Sequence, residues 1–169
     1  LDIKILGATQ DLHAGQLVDR VGVALGLPFP AGPHLEKLAQ KAQGQDVFIP
    51  SSVKGYSFSF SGGETCAKRL LSQGVPRESI ARAVENCIAK TLEKVLRRAV
   101  AETGIKTVLI VGGVAANRYL RERLQHRLGH PAVGARLFFA EPSLSTDNSV
   151  GVALSGVLAY THGLLQRNF

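Results

Sequence analysis

The sequence predicts an α/β domain. Three observations carry that expectation: one continuous apolar run suited to a parallel sheet, several apolar stripes at helical spacing, and alternation of the two kinds of segment along the chain. The 169 residues, 45% of them hydrophobic, suffice for one domain with a core. The 18 glycines and 7 prolines are ordinary for such a domain.

The elements follow in order. Ile3-Lys4-Ile5-Leu6 predicts a short strand, and Thr9 or Asp11 can cap the helix after it. Ala14, Leu17, Val18, Val21, Ala24 and Leu25 form one helical stripe, which Gly26 ends. Prolines 28, 30 and 33 make a stiff loop, and Leu35, Leu38, Ala39 and Ala42 mark a short helix behind it. Residues 44–56 read as an insertion. Tyr56-Ser57-Phe58-Ser59-Phe60 alternates as a half-buried strand, closed by Ser61-Gly62-Gly63. Pro76 opens the longest helix, with its stripe from Ile80 to Ala99, and Gly104 stops it near Thr103. Thr107–Val111 is the continuous apolar strand, expected to be covered on both faces. Gly112-Gly113 turns the chain and Asn117 caps a helix to about Leu128. Leu137-Phe138-Phe139 predicts another strand, and a helix rich in small residues starts near Asp147.

Composition excludes some classes. No run of 18 apolar residues predicts a membrane span, and the N-terminus has no signal-peptide pattern. Cys66 and Cys87 stand apart from any C-x-x-C pair and read as reduced core residues, which suits the cytoplasm. The absent initial Met fits a chain cut from something longer. The net charge of +7 permits an anionic partner. Its clusters are Arg97-Arg98 and Arg118, Arg121, Arg123, His126 and Arg127, either a solvated helix face or a phosphate-contacting patch.

Three places could carry chemistry. Gly112-Gly113 follows a buried strand and precedes a helix, so backbone N–H groups could face a nucleotide there. A plain strand-to-helix turn explains the same residues. Ser145-Thr146-Asp147-Asn148 puts Asp147 at a helix N-terminus, as a cap or as an oxygen ligand to a metal. Asp19 could bracket a ribose with Gly32, or be a surface charge beside Arg20. The five histidines form no H-E-x-x-H motif.

These segments resemble one family. Gly7 to Arg20 is similar to the G-x-T-x-D-D-A-x-G-E-A-F-D-K segment of the TsaD proteins, once called O-sialoglycoprotein endopeptidases or glycoproteases. Leu25 to Pro33 resembles their L-G-L-x-Y-P-G-G-P loop. Phe58-Ser59-Phe60-Ser61-Gly62 matches F-S-F-S-G, Gly112 to Arg118 matches G-G-V-A-A-N-R, and Thr146-Asp147-Asn148 matches the end of C-T-D-N. Five blocks in the family's order span nearly the whole chain.

The resemblance implies an actin-like, sugar-kinase-like ATPase (ribonuclease H-like) fold. Residues 1–169 would be most of its second lobe, without the first lobe and the first strands of the second. It implies transfer of threonylcarbamoyl from an ATP-derived adenylate to a tRNA adenosine. Asp19, Gly32 and Asn117 would hold the adenylate's nucleoside, beside Gly112 and Gly113. Asp147 would be this lobe's one ligand to an iron or zinc ion, acting as a Lewis acid. The implied partners are tRNA, TsaB- and TsaE-like subunits and the first lobe; separately, the unpaired strand edge expected at 3–6 predicts self-association with a second copy.

The chain departs from the pattern in places. The family's metal-binding H-x-x-x-H belongs to the first lobe, which is expected to be absent here, and S-G-G-H-T is not in the chain. Gln16 replaces a glutamate, Ala31 a glycine, and Gly63-Glu64 a Leu-Lys pair, which is expected to reverse the charge near the ligand. The alternative functions are therefore a degenerate scaffold module in a tRNA-modifying assembly and a metallo-glycoprotease. For the latter the sequence offers no nucleophile–base pair and no complete metal triad.

Overall fold

Helix α1, Ala14–Ala24, buries Leu17, Val18 and Val21 on the face its stripe predicts. It sits in a computed structural model that describes residues 3–43, 47–141 and 149–163. His13 precedes α1, and its backbone N–H donates to Gln16 Oε1 at 3.0 Å. Neither Thr9 nor Asp11 is the cap. Thr9 Oγ1 donates to the Leu12 carbonyl at 2.7 Å. Asp11 accepts from Phe60 N–H and from the hydroxyls of Ser59 and Ser61, which hold its carboxyl well below the usual carboxylate range.

The proline loop leads into helix α2, Gly32–Ala39, with Pro33 in the first turn where no N–H is needed. Strands β1, Ser52–Lys54, and β2, Ser57–Ser59, form an antiparallel hairpin pairing Val53 with Phe58. The stretch expected to be an insertion therefore contributes a strand. The strand expected over 3–6 does not form. Ile3 and Ile5 are exposed, and pairing is confined to the parallel bridge between Thr9 and Phe58. Self-association through an edge at 3–6 loses its ground with it.

Ser61 to Gly63 opens a helix rather than closing a strand: α3 runs Ser61–Ser72 and buries Gly63, Glu64 and Ala67. Its two early glycines are poor helix formers and mask its start in the sequence. Helix α4, Arg77–Thr103, is the spine of the molecule. Its first half buries Ile80, Val84, Cys87 and Ile88 against α1, α2 and α3. Its second half brings Val100 to a smaller cluster with Leu124, Leu128 and Ala135. Cys66 and Cys87 are both free, and burial pushes the Cys87 thiol up to about 11, as suits a packing residue.

Strands β3, Thr107–Ile110, and β4, Arg136–Phe139, pair in parallel, Thr107 with Arg136 through Ile110 with Phe139. Between them lie a 3-10 turn, Gly113–Ala116, and helix α5, Arg118–Leu128. α5 and α4 cover one face through Val108, Ile110, Leu137 and Phe139. The expected second cover is not supplied by the described residues, because Leu109, Val111 and Phe138 are exposed. Helix α6, Ser149–Thr161, buries none of its side chains. No helix among the described residues is long and apolar enough to cross a membrane.

Candidate functional site

Parallel strands deliver the ends of β3 and β4 to the same edge of the sheet, and the chain turns back into helices there. At the end of β3, Gly112 adopts φ 101°, which a side chain disfavours, so the chain can swing into the 3-10 turn. Asn117 then caps α5, its Oδ1 accepting from Leu120 N–H at 2.9 Å.

A cavity of about 820 Å³ opens against this turn. Its walls come from the starts of α1 and α2, the middle of α4, and residues 111–117. The lining is mostly apolar, with Ala14, Val18, Leu35, Ile88, Val114 and Leu120, and polar groups are few. Such a space suits a flat, partly apolar ligand held by a small number of hydrogen bonds. The N-terminal ends of α1 and α2 both face it, and such ends favour negative charge.

All five residues expected around a nucleoside line this cavity: Asp19, Gly32, Gly112, Gly113 and Asn117. Asp19 is more than a surface charge, since its Oδ1 accepts from Ala31 N–H at 2.8 Å and ties the proline loop to α1. A Cβ added to Gly32 or Gly113 would meet no protein atom within 4 Å, so glycine leaves open space there.

Sequence reasoning missed two carboxylates of the lining. Glu36 follows Gly32 by one helical turn, a spacing that places both on one face of α2. Its Oε1 accepts from Arg118 N–H at 2.8 Å. Glu85 falls inside the buried register of α4, beside Val84 and one turn before Ile88, which is the available signal. It is 1% exposed. Burial pushes its carboxyl up to about 7 despite the Asn117 hydrogen bond and the Arg82 charge, with Glu36 adding repulsion.

The expected charge reversal near the ligand does not occur. Glu64 is outside the cavity lining and pairs with Lys68 and with Arg20 at 3.3 Å. Gln16 does the capping work a glutamate would do. Ala31 is fully buried against Gly22. The basic clusters are also engaged within the protein. Arg97 and Arg127 both pair with Glu93, Arg98 with Glu102 and Arg118 with Glu122. Arg123 donates to Asn86 Oδ1 and the Tyr119 hydroxyl oxygen. Arg121 donates to the carbonyls of Ala115 and Ala140, at 2.6 and 2.8 Å.

Asp147, the expected metal ligand, lies outside the described residues. Among the described residues no group of three or more His, Cys, Asp or Glu side chains could hold a metal ion. The described chain therefore does not fit a complete metal centre.

Comparison with known proteins agrees with the motifs. A family model, "TsaD: tRNA N6-adenosine threonylcarbamoyltransferase", matches residues 1–154. A tRNA N6-adenosine threonylcarbamoyltransferase of Archaeoglobus fulgidus is 39% identical over 160 residues, covering 95% of this chain and 49% of that protein. One of Thermus thermophilus is 37% identical over 162 residues, covering 95% and 48%. A probable bifunctional tRNA threonylcarbamoyladenosine biosynthesis protein of Thermoplasma volcanium is 36% identical, covering 95% and 30%. The chain spans about half the length of the first two relatives. Among solved structures, that of T. kodakarensis HypF matches with a TM-score of 0.69 at 20% identity, over 90% of this chain and 20% of that one, a likeness of fold alone.

Proposed function

This chain belongs to the TsaD family of tRNA N6-adenosine threonylcarbamoyltransferases, and on that premise we propose that it forms the nucleoside-holding part of such an enzyme. The observation that carries the proposal is the meeting of Asp19, Gly32, Gly112, Gly113 and Asn117 around one cavity at the end of a parallel strand. Three separate stretches of sequence supply them.

In this reading the cavity takes the nucleoside of a threonylcarbamoyl-adenylate. Asp19 and Glu36 accept hydrogen bonds from sugar hydroxyls, and the glycines let the ligand approach the backbone. Asn117 has one N–H and one lone pair left after its two internal bonds. The domain is most of the second lobe of an actin-like ATPase fold. The other half of the relatives' length supplies the first lobe, and tRNA, with TsaB- and TsaE-like subunits, completes the assembly in the cytoplasm. An iron or zinc ion, if Asp147 takes part in holding one, draws its remaining ligands from outside the described residues.

None of Gln16, Ala31 and Glu64, the residues that motivate the scaffold alternative, lines the cavity. Calorimetry with AMP and ATP tests the proposal directly. Binding should weaken at least about tenfold in Asn117→Ala, the loss of one well-placed hydrogen bond or more. Unchanged binding in that variant overturns the site. Threonylcarbamoylation of tRNA should appear only when the other half of the relatives' polypeptide is supplied, and its failure to appear then overturns the enzyme assignment.

A further inference from the structure

The amide nitrogen of Asn117 faces a carboxylate that, when ionised, can only accept. Its Nδ2 donates to Glu85 Oε1 at 2.7 Å while its Oδ1 accepts from Leu120 N–H at 2.9 Å. An ionised carboxylate has no proton to give, so it admits only the amide's NH₂ edge. Rotating the amide by half a turn would set its carbonyl oxygen against Glu85 and its NH₂ against a backbone donor. The orientation of Asn117 is therefore dictated, along with the edge it shows the cavity.

The other carboxylate oxygen of Glu85 reaches in a different direction. Oε2 accepts from Arg82 Nη1 at 2.7 Å. Arg82 Nη2 donates to the Ala39 carbonyl at 3.1 Å, at the last residue of α2, and its guanidinium lies 4.1 Å from the centre of the Tyr119 ring on α5. Glu36, in the middle of α2, binds Arg118 N–H at the start of α5. Helices α2, α4 and α5 are thus closed into a ring of polar contacts, with Glu85 at its centre and 1% exposed.

We infer that Glu85 is a positioning residue of this cavity: it fixes the polarity of Asn117 directly, and through Arg82 it holds helix α2 against the turn that carries Asn117. The nature of the cavity's occupant rests on the nucleoside proposal above, and the positioning role does not. Arg82 on its own helix, Glu36 on α2, and Arg118, Tyr119 and Glu122 on α5 surround it, and His13 and Asp19 line the same cavity from the start of α1. Protonation turns the acid into a donor and removes its share of the constraint on Asn117, leaving that of Leu120 N–H, and its midpoint near 7 puts that change in reach.

The test follows the Asn117 side-chain amide and the Gly32 backbone amide by nitrogen–proton NMR, across roughly three pH units centred on 7. Both should titrate together in the wild-type chain, with one inflection near 7. Glu85→Gln, which can accept or donate, should abolish both responses, and Glu85→Asp should restore part of them. AMP affinity above the inflection should fall roughly tenfold in Glu85→Gln and lose its pH dependence. Amides that stay flat with pH, or that titrate equally in Glu85→Gln, overturn the inference. If Glu85→Gln does not fold, the wild-type titration decides alone. A wild-type chain whose amides titrate as described but which binds no AMP keeps the positioning role and sinks the nucleoside proposal.

Discussion

Gly22 and Ala31 meet without room to spare. A Cβ at position 22 would stand 2.3 Å from the Ala31 Cβ, well inside contact distance. The pair fits α1 closely to the proline loop. Gly22→Ala should cost about 1–3 kcal/mol, as overpacking does, read as a lower urea midpoint. Adding Ala31→Gly should recover most of it, and a neutral single variant would contradict the geometry. Glu85 sets a second expectation. Its folded value of about 7 lies above the ordinary 4.5, so the folded chain holds the proton more tightly. Stability from this group is full below 4.5 and is lost as pH rises through about 7, to a total of about 3 kcal/mol. Urea midpoints should fall over that window, and Glu85→Gln should flatten the fall. The motif residues were legible one by one in the sequence. Glu85 was not, because its meaning comes from Asn117, 32 positions away.

At the scale of elements, punctuation decided what could be read. Helices α1, α4 and α5 announce themselves through Gly26, Pro76, Gly104 and Asn117, residues whose backbone chemistry starts or stops a helix. Helix α3 hides behind Gly62-Gly63, and β1 behind polar residues in a strand of three, whereas β2 lies inside the alternation read at 56–60. The alternation at 3–6 misleads, since a strand needs a partner's ladder and β2 offers residues 8–10 only a single bridge. The arginines of α5 read as either a solvated face or a phosphate patch, and Arg121 instead clasps the two loops that leave β3 and β4. Arg121→Leu should free the Ala115 and Ala140 carbonyls and speed hydrogen exchange across 112–117 by about tenfold, the equivalent of one hydrogen bond. Exchange limited to the ends of α5 would argue against the clasp.

For the whole molecule, the order of layers was legible and their completeness was not. An apolar run shows that a strand is buried, without showing which polypeptide buries it. One face of β3 and β4 packs on α4 and α5, and the other shows Leu109, Val111 and Phe138 to solvent. Apolar surface of that kind seeks cover. Light scattering should find the chain self-associated at micromolar concentrations, and supplying the other half of the relatives' polypeptide should disperse it. A monomer under both conditions would contradict this. Helix α6 sharpens the expectation: Ser149 to Thr161 contains no Asp, Glu, Lys, Arg or His, yet Val150, Val152 and Tyr160 stand more than 60% exposed. Acid, mild base and salt bridges have no handle on such a surface, and added sulfate makes it stickier. Adjusting the pH will therefore leave the clumping untouched, while a mild detergent or a covering polypeptide will dissolve it.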